Sequence, residues 1–230
     1  MTIKITPDTT PEMIQEAKSG GVIAGKLYPD GVTTGSEGGV TDFKALYPVF
    51  EAMQDVDTVL SIHCELPGSI ELEAETDFIP VLQDIVANFP RLRIVVEHVS
   101  TAAMVEFLQS APETVGATIT AHHLILTYDK VRVGGRIVLP HNFCKPVAKW
   151  KRDQSALVRA ATSGDPRFWF GSDTAPHSRD KKECLHPAAG VFSALVVPSV
   201  LAKLFEDANV LDRLEAFWAH YGADFYDLSR

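Results

Sequence analysis

The 230 residues are 46% hydrophobic and 22% charged, the proportions of an ordinary soluble globular protein with enough chain to bury a large core. A net charge of −9 without any basic cluster argues against nucleic acid as a partner. Three widely spaced cysteines (Cys64, Cys144, Cys184) make no disulfide framework and favour a reducing, cytoplasmic setting. The N-terminal Met1–Thr6 has neither an apolar signal core nor an Arg-rich transit pattern. The most apolar stretch, Val191–Phe205, is interrupted by Pro198 and Lys203 and is too short to span a bilayer, so no membrane partner is expected.

In chain order, Thr2–Thr6 reads as a strand and Pro11–Lys18 as a helix with Thr10 as N-cap. Val22–Lys26 is a strand, followed by the glycine-rich loop Asp30–Gly39 and a helix from about Thr41 to Met53. Val59–His63 leads through an acidic segment to a helix ending near Phe89. Ile94–His98 runs into Ser100-Thr-Ala-Ala, an N-cap signature, and a helix to about Gln109. Ala117–Ala121 is the next strand, and His122–Pro146 reads as an irregular loop. A helix over Ala148–Thr162, the strand Phe168–Asp173 and two helices (about Ala188–Glu206 and Leu211–His220) complete the chain. Short buried runs alternating with helices predict an α/β fold with a parallel sheet. Six strands are readable, whereas a closed (β/α)8 barrel takes eight in typically about 250 residues.

Lys26, His63, His98 and Asp173 each fall at the end of one of these apolar runs. In a (β/α) barrel such ends converge on one face, where active sites lie. Two imidazoles and a carboxylate are ordinary zinc ligands, and zinc makes water a nucleophile near neutral pH. An aspartate there can take the proton from that water and return it to a leaving nitrogen. Each residue alone has a plainer reading: a satisfied half-buried histidine, a snorkelling lysine, a helix-capping aspartate. Lys26, if desolvated enough to deprotonate, can add carbon dioxide and become an anionic carbamate able to bridge two metals. The loop Asp30–Gly39 has the glycine content of a lid and hydroxyls for a polar substrate, or is an ordinary flexible connection. His177 could equally face solvent. Of His122 and His123, one is expected to support the site and the other to lie on the surface. Cys64 is expected to be a small packing residue and Glu97 structural.

Together these segments resemble one family. Lys26-Leu-Tyr-Pro with Thr33-Thr34, Leu60-Ser-Ile-His-Cys-Glu65, Glu97-His98, Thr118-Ile-Thr-Ala-His-His123, Asn142-Phe-Cys-Lys-Pro-Val147 and Gly171-Ser-Asp-Thr-Ala-Pro-His177 are similar to monofunctional dihydroorotases of bacteria and fungi, especially the fungal form, within the amidohydrolase superfamily. The resemblance runs over essentially the whole chain in unbroken order. It implies a distorted (β/α)8 TIM barrel, here incomplete at the N-terminus and forming a single domain over 1–230. It further implies zinc-dependent, reversible hydrolysis of L-dihydroorotate to N-carbamoyl-L-aspartate in pyrimidine biosynthesis, by a homodimer.

The resemblance also implies the roles of individual residues. Lys26 would be the carboxylated ligand bridging two zinc ions, and His63 and His98 would bind the more exposed ion. Asp173 would bind the more buried ion and act as general base and acid. Thr33 and Thr34 match a mobile loop over the substrate, His177 and Ala189 match positions holding its carboxylate, and the backbone near Lys145 matches a contact to the pyrimidine ring. Family members also carry an N-terminal His-x-His strand and a C-terminal tail that are not found here. The exposed zinc therefore keeps its three side-chain ligands and the buried one keeps two. The open strand edges this implies invite pairing with another chain. A catalytically silent dihydroorotase-like subunit and an amidohydrolase for another cyclic amide, such as a hydantoin, are the alternatives.

Overall fold

In the computed structural model, which describes residues 1–228, each short apolar run forms a strand. Positions 229 and 230, the end of the expected 1–230 domain, lie outside the described residues. The elements are β1 (Thr2–Ile5), α1 (Pro11–Ser19), β2 (Ala24–Leu27), α2 (Tyr47–Asp55), β3 (Val59–Ile62), α3 (Ala74–Asn88), β4 (Ile94–Val96), α4 (Ala102–Ser110) and β5 (Val115–Ile119). They continue with α5 (Ala121–Ile125), β6 (Arg132–Val133), β7 (Arg136–Ile137), α6 (Lys151–Thr162), β8 (Phe168–Phe170), α7 (Arg179–Lys182), α8 (Val197–Asp207) and α9 (Tyr221–Phe225).

The chain divides into two compact units, residues 1–97 with 110–116, and 98–109 with 117 onward. In the first, β1 to β4 pair in parallel in chain order. Every residue of β3 and β4 is buried, as befits strands covered on both faces. The core is filled by Ile5, Ile14, Leu27, Phe50, Met53, Leu60 and Phe78, all fully buried. Each such large side chain contributes about 1.5–3 kcal/mol by leaving water. Helix α1 shows why the local sequence folds as it does: Thr10 Oγ1 accepts from Met13 N, Pro11 occupies the first turn, and Gly20 follows the last. In the second unit β5 pairs in parallel with β8. Its core includes Met104, Leu108, Ile119, Leu157, Phe168, Leu201, Phe205 and Phe217.

Several elements depart from the sequence expectation for local reasons. Helix α2 begins at Tyr47 rather than near Thr41, because Asp42 Oδ1 accepts from the Lys44 and Ala45 amides and ties that segment into a turn. Pro48 then suits only a first helical turn. The stretch 122–146 is not wholly irregular. It holds α5, capped by Thr120 (whose Oγ1 accepts from His123 N), and the hairpin β6–β7 across Gly134-Gly135. Both glycines have positive φ (56° and 78°), as a tight hairpin turn requires. Helix α8 starts only at Val197, with Pro198 in its first turn, and the expected 211–220 helix is present but irregular, a 3-10 turn at Leu211–Arg213 passing through a π-helical stretch at Ala216–His220 directly into α9.

Candidate active-site residues

In the first unit the β2–β3 register brings Lys26 and His63 together. Lys26 pairs with Ser61 and Leu27 with Ile62, and His63 N donates to Leu27 O at 3.1 Å. The Tyr28 ring lies against both, its centroid 5.1 Å from Lys26 Nζ and 6.1 Å from the His63 ring. Lys26 sits within β2, not beyond its end, and is half-buried. His63 follows β3 directly, and its Nε2 donates to Glu65 Oε2 at 2.8 Å inside the protein. A carboxylate on one ring nitrogen settles the tautomer of a neutral imidazole and leaves the lone pair on Nδ1, the usual arrangement behind a metal-binding histidine. Cys64 is buried, and burial with the nearby Glu75 carboxylate pushes its thiol well up, as expected of a packing residue.

The loop carrying Thr33 and Thr34 is tightly wired. Fully buried Ser36 donates through Oγ to Thr33 O (2.7 Å) and accepts from Thr33 N (2.9 Å). Asp30 Oδ1 accepts from Gly38 N (2.7 Å) and Gly39 N (3.2 Å). Gly39 passes so close to the Tyr28 carbonyl that a Cβ would lie 2.6 Å from its oxygen. The loop is thus a closed turn that presents half-buried Thr33 and exposed Thr34.

In the second unit His98 and Asp173 share a rare backbone state, with φ of 44° and 36°. Left-handed non-glycine residues cost energy and gather where a side chain must be aimed for function. Thr118 of β5 contacts the backbone at His98 and at Gly171, two residues before Asp173. Its Oγ1 accepts from His98 N (2.6 Å), its carbonyl accepts from Val99 N (3.0 Å), and Gly171 packs on its side chain where a Cβ would come within 2.6 Å. His98 is buried, whereas Asp173 lies three residues past the end of β8 and is exposed. His177 does not simply face solvent: its Nε2–H donates to the carbonyl of Ala189 at 2.9 Å. The 174–177 and 189–193 segments run together, with Ala175 N donating to Val191 O.

His122 and His123 are both buried, correcting the expectation that one is at the surface. His123 Nε2 faces the Pro146 carbonyl (2.9 Å), which can only accept, so Nε2 carries the proton and Nδ1 accepts from Thr120 Oγ1 (2.8 Å). Cys144 S–H also donates to Pro146 O (3.2 Å). His122, His123 and Cys144 are the one group of three metal-type donors found within 4.8 Å of one another among the described residues. With two of its members spent on Pro146, the group clamps the backbone beside half-buried Lys145. Burial and His123 hold the His122 imidazole well below its ordinary pKa.

Sequence reasoning missed Lys182. In the charged run Arg179-Asp-Lys-Lys-Glu it reads as a solvated lysine, yet it is 2% exposed. Its Nζ donates to the carbonyls of Phe143 (3.0 Å), Ala188 (2.8 Å) and Gly190 (2.7 Å). Thr118 and His123 stood inside the Thr118–His123 motif, but their partners, the His98 amide and the Pro146 carbonyl, were not legible there. No periodicity marks a residue whose partners come from elsewhere in the chain.

Three comparisons bear on this arrangement. The sequence pattern of a family described as amidohydrolase matches residues 4–207. A dihydroorotase of Teredinibacter turnerae is 46% identical over 233 residues, covering all of this chain and 67% of that protein. A probable dihydroorotase of Schizosaccharomyces pombe is 45% identical over 229 residues, covering 98% of this chain and 66% of that one. The chain thus spans about two thirds of the length of these relatives. The crystal structure of dihydroorotase from Saccharomyces cerevisiae in complex with 5-fluoroorotic acid superposes with a TM-score of 0.93 at 38% identity, over all of this chain and 67% of that one.

Proposed function

This chain belongs to the dihydroorotase family of amidohydrolases, and from that premise we propose that it hydrolyses the cyclic amide of L-dihydroorotate reversibly to N-carbamoyl-L-aspartate. The observation that carries the reading is the similarity of 46% over the entire chain to a dihydroorotase, with the likeness to a dihydroorotase solved with 5-fluoroorotic acid beside it. The fold that goes with it is the parallel α/β fold of amidohydrolase barrels, and the reading takes 1–230 as one partial barrel domain.

The reading assigns Lys26, carboxylated, together with His63, His98 and Asp173 to zinc. Their chemistry fits the metal: imidazole and carboxylate are standard zinc donors, and His63 already carries a carboxylate on its Nε2. No His-x-His occurs in these 230 residues, and the reading draws its zinc ligands from these four. When bound, zinc supplies Lewis-acid activation of water and of the amide carbonyl. Asp173 takes the proton of the attacking water on its carboxylate and returns it to the departing ring nitrogen. Its exposure is compatible with that traffic. His177 and Ala189 hold the substrate carboxylate, the backbone at Lys145 meets the pyrimidine ring, and the Thr33–Thr34 turn presents its hydroxyls to the substrate. A cytoplasmic homodimer in pyrimidine biosynthesis completes the reading. The three cysteines are unbridged, and among the described residues no helix is long and apolar enough to cross a membrane.

The test is dihydroorotate hydrolysis by the purified chain with zinc and bicarbonate supplied. Turnover that falls by at least about a hundredfold in Asp173→Asn, with the melting temperature kept, is the expected result. A folded, zinc-loaded wild-type chain without turnover would mean a silent relative.

A further inference from the structure

Lys182 is a buried ammonium whose hydrogen bonds all go to backbone. Its three donors meet three carbonyls, and no carboxylate pairs with it among the described residues. A lysine has three N–H groups, so none remains for solvent or substrate. Its partners are not scattered. Ala188 and Gly190 flank Ala189, whose own carbonyl takes the His177 Nε2–H, so three successive carbonyls are engaged. Phe143 stands two residues before Lys145, and its carbonyl also accepts from Gly190 N at 2.9 Å. One side chain therefore ties the 143–146 strip to the 188–190 strip. Gly190 confirms how tight this is: a Cβ would lie 2.5 Å from Ala175 O and 2.9 Å from His177 Cδ2.

Peptide geometry gives the clamp a direction. In a trans peptide the carbonyl and the following N–H point opposite ways. Turning the Ala188 carbonyl onto Lys182 turns the Ala189 amide away from it. The Phe143 carbonyl does the same for the amide of Cys144. The ammonium leaves a positive charge in a low-dielectric setting, behind amide dipoles whose positive ends point away from it. Burial lowers the Lys182 pKa, with Cys144 opposing.

We propose that Lys182 is a positioning residue for carboxylate recognition: by pinning Phe143, Ala188 and Gly190 it orients the strips at Lys145 and Ala189 toward an anionic cyclic amide. The inference rests on the dihydroorotase reading and adds to it the residue that makes the substrate's carboxylate matter. Lys182 touches no substrate and moves no proton.

The experiment is steady-state hydrolysis, with zinc supplied, by wild type, Lys182→Met and Lys182→Arg. Substrates are dihydroorotate and its methyl ester, which keeps the ring and loses the charge. Lys182→Met is expected to raise KM for dihydroorotate roughly tenfold or more, with kcat within about threefold. Lys182→Arg recovers part of the loss, and the ester is handled alike by all three proteins. An equal loss on both substrates makes Lys182 a packing residue only and overturns the proposal, as does no loss at all. If Lys182→Met does not fold, Gly190→Ala disturbs the same strip with the lysine intact, and the absence of a carboxylate-specific rise in KM there is equally fatal. A wild-type chain inactive on both substrates defeats the dihydroorotase reading, and this inference with it. An active wild type with unaffected variants defeats the inference alone.

Discussion

His122 shows what burial does to a titratable side chain with little to offset it. Neither ring nitrogen has a hydrogen-bond partner among the described residues, and the neighbouring His123 ring stands 4.7 Å away. The folded pKa therefore lies well below the ordinary 6.5 that the unfolded chain retains. Below about pH 6.5 the unfolded chain takes up a proton that the folded chain refuses, so stability is full above that pH and declines as pH falls toward the folded pKa. From pH 7.5 to 5.5 the loss from this one group should be at most about 1.4 kcal/mol. Urea denaturation at the two pH values should show it, and His122→Asn should shrink the difference. A variant with the wild-type pH dependence would remove His122 from the account. At this scale the sequence was informative where chemistry and motif coincide. Lys26, His63, His98 and Asp173 stood out as polar residues closing apolar runs. The left-handed turns at His98 and Asp173 did not, because nothing in Glu97-His98-Val99 announces a positive φ.

Among the elements, the Asp30–Gly39 loop departs furthest from what its composition suggests. Its glycines suggest freedom, but Ser36 and Asp30 close it from within. Ser36→Ala removes both Oγ bonds to Thr33 and leaves the rest of the turn intact. It should raise KM for dihydroorotate about threefold to tenfold and lower global stability by about 1–3 kcal/mol, since two hydrogen bonds of a buried hydroxyl are lost together. Kinetics beside a thermal melt would separate the two effects, and an unchanged KM would mean the loop does not order the substrate. Strands β2 to β5 were legible because buried parallel strands leave mainly apolar runs. The boundaries of α2 and α8 were not. They are set by Pro48, Pro198 and the Asp42 turn, which override an apolar pattern that continues past them.

For the molecule as a whole, any metal that binds the folded chain and not the unfolded one must stabilise it by mass action. Zinc at a hundred times its dissociation constant adds about 2.7 kcal/mol, so the melting temperature should climb with zinc and drop back on chelation. His63→Ala should blunt the response, and a melting temperature indifferent to zinc would weigh against the ligand assignment. The order of the strands carries a consequence of another kind, for how the chain acquires its structure. Strands β1 to β4 neighbour one another in the order they are made, so each pairing closes a short span and the first unit can assemble as synthesis proceeds. The β5–β8 pairing must instead bridge the whole of 120–167, a costlier closure. Asp173, His177, Lys182 and Ala189 all follow β8. These four residues, which in the proposed reaction carry proton transfer and the recognition of the substrate carboxylate, are therefore among the last to reach their places on the way to the native state.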